Sequence, residues 1–475
     1  MAVSTSPGGE EAGMALSPGP SAAVGAALLA LFPMGHLLYV PVGGAVATAT
    51  DVAVFVFLLV WMLEILAFPE VAVAWRRLFS GDAVPGLPPR GFVFGTLLLT
   101  AFGAWVAASG VWGFHPGYAL AKGLGVAALA LTALGLATVR LRWERAVDAW
   151  LAGTGFVLAF TAVVLLFGPH ALRERMIYTQ GGVAGLPLPR VRGPFLHPSM
   201  LGDYLVLSGV LLWLRGGVRR FVTLILGVGI ALFLLLSAST AWIAAGVVMM
   251  YLGRSGAAGG GAGGGAGGSR DAARGWLLRL SGAALAGAAL AGVLLPVDVK
   301  VGGMHLVTSG VRPAIWRGAL DAVANAPLLG VGAAPFLAEV PDPLQGGAPA
   351  LWDAHNAYLS VLGQFGLVGA LLLGTGLIWT ARGAFQGLSG GRGAPLRRGL
   401  AAALLALGTD ALFMASEDLR HLWLFLGVMG VMGAAGVGVG RGDGGAGRRG
   451  AGRRRGGRRR GGRRGGGTEP EAETE

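Results

Sequence analysis

Residues 220–253 read RFVTLILGVGIALFLLLSASTAWIAAGVVMMYLG. The stretch is apolar throughout except at Ser237, Ser239 and Thr240, and it is too long for a single crossing of a hydrocarbon core that about 20 helical residues span. Its side chains come in unbroken blocks, without the period-2 alternation of a membrane β-barrel strand. In lipid the backbone groups must bond within the segment, so the stretch reads as helix. The polar break divides it into two spans, 220–236 and 240–253.

Similar runs occur on either side, at 22–40, 46–68, 91–110, 118–139, 147–168, 198–214, 276–296, 356–380, 397–415 and 421–440. The expected fold is an all-α polytopic membrane protein with about twelve transmembrane helices. Composition agrees: of 475 residues, 54% are hydrophobic and 13% charged, against roughly 25% charged in an ordinary soluble domain. A soluble enzyme is excluded. The absence of cysteine excludes disulfides and cysteine-based nucleophiles or metal sites.

The distribution of arginine tests the topology. With the N-terminus in the cytoplasm, the inner loops carry Arg76, Arg77 and Arg90; Arg140, Arg142 and Arg145; Arg215, Arg219 and Arg220; Arg254, Arg270 and Arg274; and Arg382, Arg392, Arg397 and Arg398. Every inner loop is basic only if 220–253 is two spans. Residues 1–20 lack a basic n-region and read as a disordered cytoplasmic N-terminus without a cleavable signal peptide. The membrane domain covers 21–440, with a Gly-rich cytoplasmic linker at 255–270, and 441–475 form a disordered cytoplasmic tail, basic and then acidic. Much of the net charge of +13 lies in Arg441–Arg464. That cluster suits anionic headgroups of membrane lipids; nucleic acid is the competing partner and is not expected.

Two expected outer segments are long, 169–197 and 297–355, and should bear short helices. Against the topological bias they carry Arg173, Arg175, Arg190, Arg192, Lys300, Arg312 and Arg317. The first constellation runs from Arg190 through Arg192 and His197 to Tyr204. Guanidinium forks suit phosphate oxygens; interfacial snorkelling is the alternative. His197, just before Pro198, also fits a helix cap. The second is Ser309 to Leu320 followed by Pro327-Leu-Leu-Gly-Val-Gly332, in which Pro313 fits a first helical turn and Arg312 and Trp316 share one face. An amphipathic surface helix anchored by Trp316 is compatible with this. The third is Trp352-Asp-Ala-His-Asn-Ala-Tyr358. His355, at the start of a membrane helix, is disfavoured as imidazolium by the helix dipole and reads as a general base or as a capping residue. Glu417, Asp418, Arg420 and His421 form a fourth group, read as ion pairing, with metal binding as its alternative.

Taken in order, Arg190 to Pro198, Arg312 and Trp316 to Gly332, and His355 to Leu359 resemble the bacterial O-antigen ligase and O-antigen polymerase superfamily. Gln364-Phe-Gly-Leu-Val-Gly369 resembles the helix after the family's His-Asn pair, and Ser109-Gly-Val-Trp-Gly-Phe-His-Pro116 resembles its early outer loop. Ser199 stands where the family usually has Asn, and Ser237-Ala-Ser-Thr240 where it often has Ser-Arg. The resemblance implies a GT-C-like glycosyltransferase without metal or other cofactor. It would act at the periplasmic face of the bacterial inner membrane on an undecaprenyl-diphosphate-linked glycan donor, with lipid A core or a second lipid-linked glycan as acceptor. His355, Arg312 and Arg190 would be catalytic; Arg192, His197, Trp316, Asn356 and Tyr358 would bind substrate. A transporter of lipid-linked oligosaccharide is the rival. It would call for ionisable groups inside the spans, where Asp51 and Glu64 are the acids noted, near span ends or isolated.

Overall fold

The computed structural model describes residues 19–42, 45–80, 84, 87–178, 190–216, 220–258, 267–294, 298–301, 304–307, 312–334, 337–342, 348–388, 393–414 and 420–439. The helices among them are α1 (Pro20–Leu31), α2 (Ala49–Ala67), α3 (Pro69–Ser80), α4 (Arg90–Ala108), α5 (Pro116–Thr138), α6 (Trp143–Phe167), α7 (His170–Met176), α8 (Pro198–Arg215), α9 (Arg220–Leu235), α10 (Ser239–Ala258), α11 (Gly267–Leu294), α12 (Arg312–Asn325), α13 (Ala357–Gly387), α14 (Ala394–Asp410) and α15 (Arg420–Val439). Each expected apolar run contains or overlaps a helix. Five of these, α2, α4 with its following turn, α5, α6 and α13, are long and apolar enough to cross a membrane by length and composition, and shorter apolar helices include α1, α9 and α15. The chain is an all-α multi-pass membrane protein.

Three boundaries differ from expectation. The run at 22–40 stops being α-helical at Leu31, where a 3-10 turn (Phe32–Leu37) begins. Pro33 supplies no N–H and its ring crowds a continuing helix; the Phe32 carbonyl instead accepts the Thr50 hydroxyl at 2.7 Å. The glycine-rich linker is shorter than expected, because α10 continues to Ala258 and α11 begins at Gly267. These two helices lie closely side by side, with Gly246 against Gly282 and Ala286, and tertiary packing of this kind extends helices beyond their propensity. The two long segments expected on the outer face hold two-stranded ribbons besides the short helices α7 and α12: Ile177–Tyr178 with Arg190–Val191, Asp298–Val301 with Met304–Val307, and Ala338–Asp342 with Ala348–Trp352. The expected N-terminal segment (all but its last two residues) and C-terminal tail, and linker residues 259–266, lie outside the described residues.

Helices α4, α5, α13 and α15 pack on one another, and α8, α10 and α14 form a second set joined to them through α6 and α15. Small residues let backbones approach: Gly95 of α4 lies against Thr380 and Gly376 of α13, a common device where lipid offers no hydrophobic drive. Between α6 and α8 the seam is polar. Trp150 Nε1 donates to Ser208 Oγ at 2.9 Å, and the Thr154 hydroxyl meets Tyr204 at 2.8 Å. Phe32 closes this cluster, 5.2 Å from the Trp150 ring. At one end of the bundle Asp51 of α2 accepts Arg420 Nε and Nη2, both at 2.7 Å, tying α15 to α2.

Candidate active site

The break that separates α9 from α10 builds the first wall. Ser237 Oγ and Trp242 Nε1 both donate to the Leu234 carbonyl, at 2.7 and 2.9 Å. The Leu236 carbonyl turns outward and accepts the Val191 amide at 2.6 Å. The polar interruption seen in the sequence thus satisfies a helix end and docks the strand that carries Arg190. Arg192 folds back on the chain, with Nε donating to the Arg175 carbonyl at 2.7 Å and Nη1 to the Leu196 carbonyl at 3.3 Å. His197 is the N-cap of α8: its Nδ1 accepts the Ser199 amide at 3.2 Å. Its ring stands edge-on to Tyr178, 5.1 Å between centroids. Ser199 keeps its hydroxyl 3.1 Å from the same Nδ1.

The second wall is α12, which lays Ile315 and Ala319 against the core. Arg312, at its start, stacks on the Phe413 ring at 5.7 Å. Arg312 Nη1 and Trp316 Nε1 are buried donors with no hydrogen-bond partner among the described residues. The loop after α12 then locks into α13. Gly366 leaves helical geometry at φ +64, and the freed groups are met from outside: Leu367 and Val368 amides donate to the Pro327 and Leu328 carbonyls at 2.9 and 3.2 Å, while Val331 donates to Gly363 at 2.9 Å. Gly330 and Gly332 adopt φ +72 and +90, where side chains are strained. Ser109 reaches the same loop, its Oγ accepting the Ala333 amide at 3.0 Å. The Ser109, Pro327–Gly332 and Gln364–Gly369 motifs are therefore one docking joint.

The third wall is the start of α13. Asn356 is its N-cap, accepting the Leu359 amide at 3.0 Å. Tyr358 donates its hydroxyl to the Gly408 carbonyl at 2.9 Å, so it braces α13 against α14. His355 has φ +44, the one described non-glycine residue in the left-handed region. Its amide is bonded to Asp353 Oδ1, and its Nδ1 lies 3.9 Å from Asp353 Oδ2.

The walls converge. Arg190 is pushed below its ordinary pKa by burial, and Arg312 by burial first and then by Arg190, with Asp410 and Asp353 opposing. His197 falls to about 4, through burial and then the charges of Arg190, His355, Arg192 and Arg312. His355 is lowered by burial, with Asp353 opposing and Arg312 assisting the fall. Groups that perturb one another in this way share one site. The site holds neutral imidazoles beside buried guanidinium groups, an arrangement suited to an anion of several oxygens and to proton transfer.

Helices α8 and α14 each contribute a buried acid near this site. Asp203 of α8 and Asp410 of α14 face each other, 3% and 2% exposed. Both Asp203 oxygens, Asp410 Oδ1 and Thr240 Oγ1 are buried without a hydrogen-bond partner among the described residues. An acid within a span is itself a signal, and Asp203 lay inside the first motif. These carboxyl groups close one end of an apolar cavity of about 320 Å³, lined mainly by aliphatic side chains such as Val361, Leu373, Leu404, Leu407 and Leu426. In the fourth group, Arg420 pairs with Asp51, and His421 is buried beside Phe195, 6.4 Å between rings. Glu417 and Asp418 lie outside the described residues.

Residues 199–374 are similar to the O-antigen ligase family. No curated protein matches the chain. The match begins after Arg190 and His197 and contains Arg312, Asp353 and His355.

Proposed function

From the O-antigen ligase match, we propose that the protein transfers a glycan from undecaprenyl diphosphate to a sugar hydroxyl at the periplasmic face of the bacterial inner membrane. The observation that carries this is the meeting of Arg190, Arg312 and His355, from three separate segments, near an apolar cavity that Asp410 lines. The donor's diphosphate lies against Arg190 and Arg312, and its polyprenyl chain runs toward the cavity. The acceptor oxygen attacks the anomeric carbon while the bond from that carbon to the diphosphate oxygen breaks. The acceptor proton passes to His355, and the electron pair leaves on undecaprenyl diphosphate. Negative charge develops on the leaving diphosphate, where fixed guanidinium groups stabilise it most. Trp316, with its buried indole N–H, is placed to bind a sugar hydroxyl. Arg192 and His197 hold the shape of the Arg190 wall, and Asn356 and Tyr358 hold His355's helix; substrate contacts of these four are secondary. A polymerase would use the same groups and differ in its acceptor.

The Asp203–Asp410 pair supports a second reading, transport of lipid-linked oligosaccharide, because transporters place ionisable groups within their spans. One experiment separates them. Purified protein receives a lipid-diphosphate-linked oligosaccharide and a panel of acceptors, lipid A core and a second lipid-linked glycan among them, with EDTA present. Transfer by the wild type, lost in folded His355→Ala and Arg312→Ala, supports the glycosyltransferase, and the productive acceptor assigns ligase or polymerase. Movement of the lipid-linked glycan across vesicles with no acceptor glycosylated supports the transporter.

A further inference from the structure

Asp353 is not among the residues given a role above, yet it makes two separate contacts with His355. Its Oδ1 accepts the His355 backbone amide, a local turn in which an Asp side chain replaces a backbone acceptor. That turn holds His355 at φ +44, a conformation that bulky side chains avoid and that persists when the surroundings over-determine it. Its Oδ2 lies 3.9 Å from His355 Nδ1, with the two side chains 38% and 34% exposed. One carboxylate therefore addresses both the backbone and the ring of the same residue. Arg312 is also near enough for its charge to work against protonation of that ring.

We infer that Asp353 is a positioning residue for His355: it holds the left-handed turn that aims the imidazole into the site, and it draws the Nδ1 proton so that Nε2 is the basic nitrogen. The inference rests on the glycan-transfer reading proposed above. As the acceptor proton arrives at Nε2, the ring becomes positive within reach of both Arg312 and Asp353. The carboxylate offsets that charge while keeping none of the transferred proton. A bound diphosphate facing Arg312 and Arg190 would act in the same direction, so the base is strongest when the donor is in place.

Two variants separate the two contacts. Asp353→Asn keeps an oxygen for the turn and removes the charge; Asp353→Glu keeps the charge and breaks the turn. The pH midpoint for carbethoxylation of His355 by diethyl pyrocarbonate, read by mass spectrometry, reports the ring without requiring turnover. Asp353→Asn is expected to move that midpoint to lower pH and to reduce kcat roughly 10- to 100-fold, part of what a general base contributes, with KM for the donor unchanged. Asp353→Glu is expected to restore the midpoint more than the rate. An unchanged midpoint in Asp353→Asn overturns the inference, and so does a shifted midpoint with unchanged kcat. A wild type that transfers no glycan, while Asp353→Asn still shifts the midpoint, overturns the proposed function and leaves the pairing supported.

Discussion

The amide of Gly332 donates to the carbonyl of Gln364 at 2.9 Å, closing a bond between the loop that follows α12 and the broken turn of α13. Arg312 begins α12, and His355 lies immediately before α13. The joint therefore sets the distance between the guanidinium and the imidazole, although neither residue takes part in it. Interior packing tolerates little adjustment, so a change at this joint should be felt at the site.

Gly330→Ala tests that joint. A Cβ there would lie 2.3 Å from the Gln364 backbone, at φ +72. The strain alone is worth about 1–3 kcal/mol, so the melting temperature in detergent should fall. Gly287→Ala is the control, since a Cβ there meets nothing within 4 Å, and it should shift stability by no more than about 1 kcal/mol.

Replacing Arg312 or Arg190 with Gln should lower kcat/KM for glycan transfer by about 10²–10³-fold, the usual effect of removing one electrostatic stabiliser. Lys in place of either should recover only part of the loss, because an ammonium keeps the charge without the two-pronged geometry. Initial rates at varied donor concentration measure both.

The pH profile follows from His355. Its pKa lies below the ordinary 6.5, so the base is neutral and competent above that value. Activity should hold from pH 7.5 down to 6.5 and be lost as pH falls through the depressed pKa. An acidic limb of kcat/KM, which reports the free enzyme, centred above 6.5 would remove His355 as the base.

His197 makes the fold itself acid-sensitive. Its pKa is about 4 in the folded protein against 6.5 unfolded. Between these values the unfolded chain binds the extra proton, so stability rises with pH across this window and declines as pH falls from 6.5 toward 4. His197→Asn should flatten the dependence of melting temperature on pH over that interval.

The Asp51–Arg420 pair ties the start of α15 to α2 through two bonds of 2.7 Å. A double-mutant cycle with Asp51→Asn and Arg420→Gln should give a coupling of roughly 1–2 kcal/mol in stability. Because His421 follows directly and packs on Phe195, each single mutant should also lower transfer modestly.

Much of this was legible in the chain. The break at Ser237 was visible because hydroxyl side chains interrupt an otherwise apolar run, and the helices stop and restart there. Pro313 marked the first turn of α12, and His197 its capping place before Pro198. Arg190, Arg312 and His355 stood out because charge and imidazole are rare beside membrane helices. Other features were not legible. Gly330 and Gly332 meet the Gln364–Gly366 turn only in the folded chain. Asp203 and Asp410 are about 200 residues apart in the chain, and nothing local to Asp353 marks its double contact with His355.

The sequence by itself determined which segments are apolar enough for membrane helices and which residues carry charge between them, because the transfer of a segment into lipid depends on its own composition and length. It also determined where helices begin and end, through proline, hydroxyl and histidine caps that act over a few residues. Only the tertiary structure decided that the Arg190 strand docks on the α9–α10 break, that Asp203 meets Asp410, and that Asp353 reaches both the amide and the ring of His355. Those contacts depend on backbone approach, left-handed turns and the closed packing of helices far apart in the chain, and local composition does not record them.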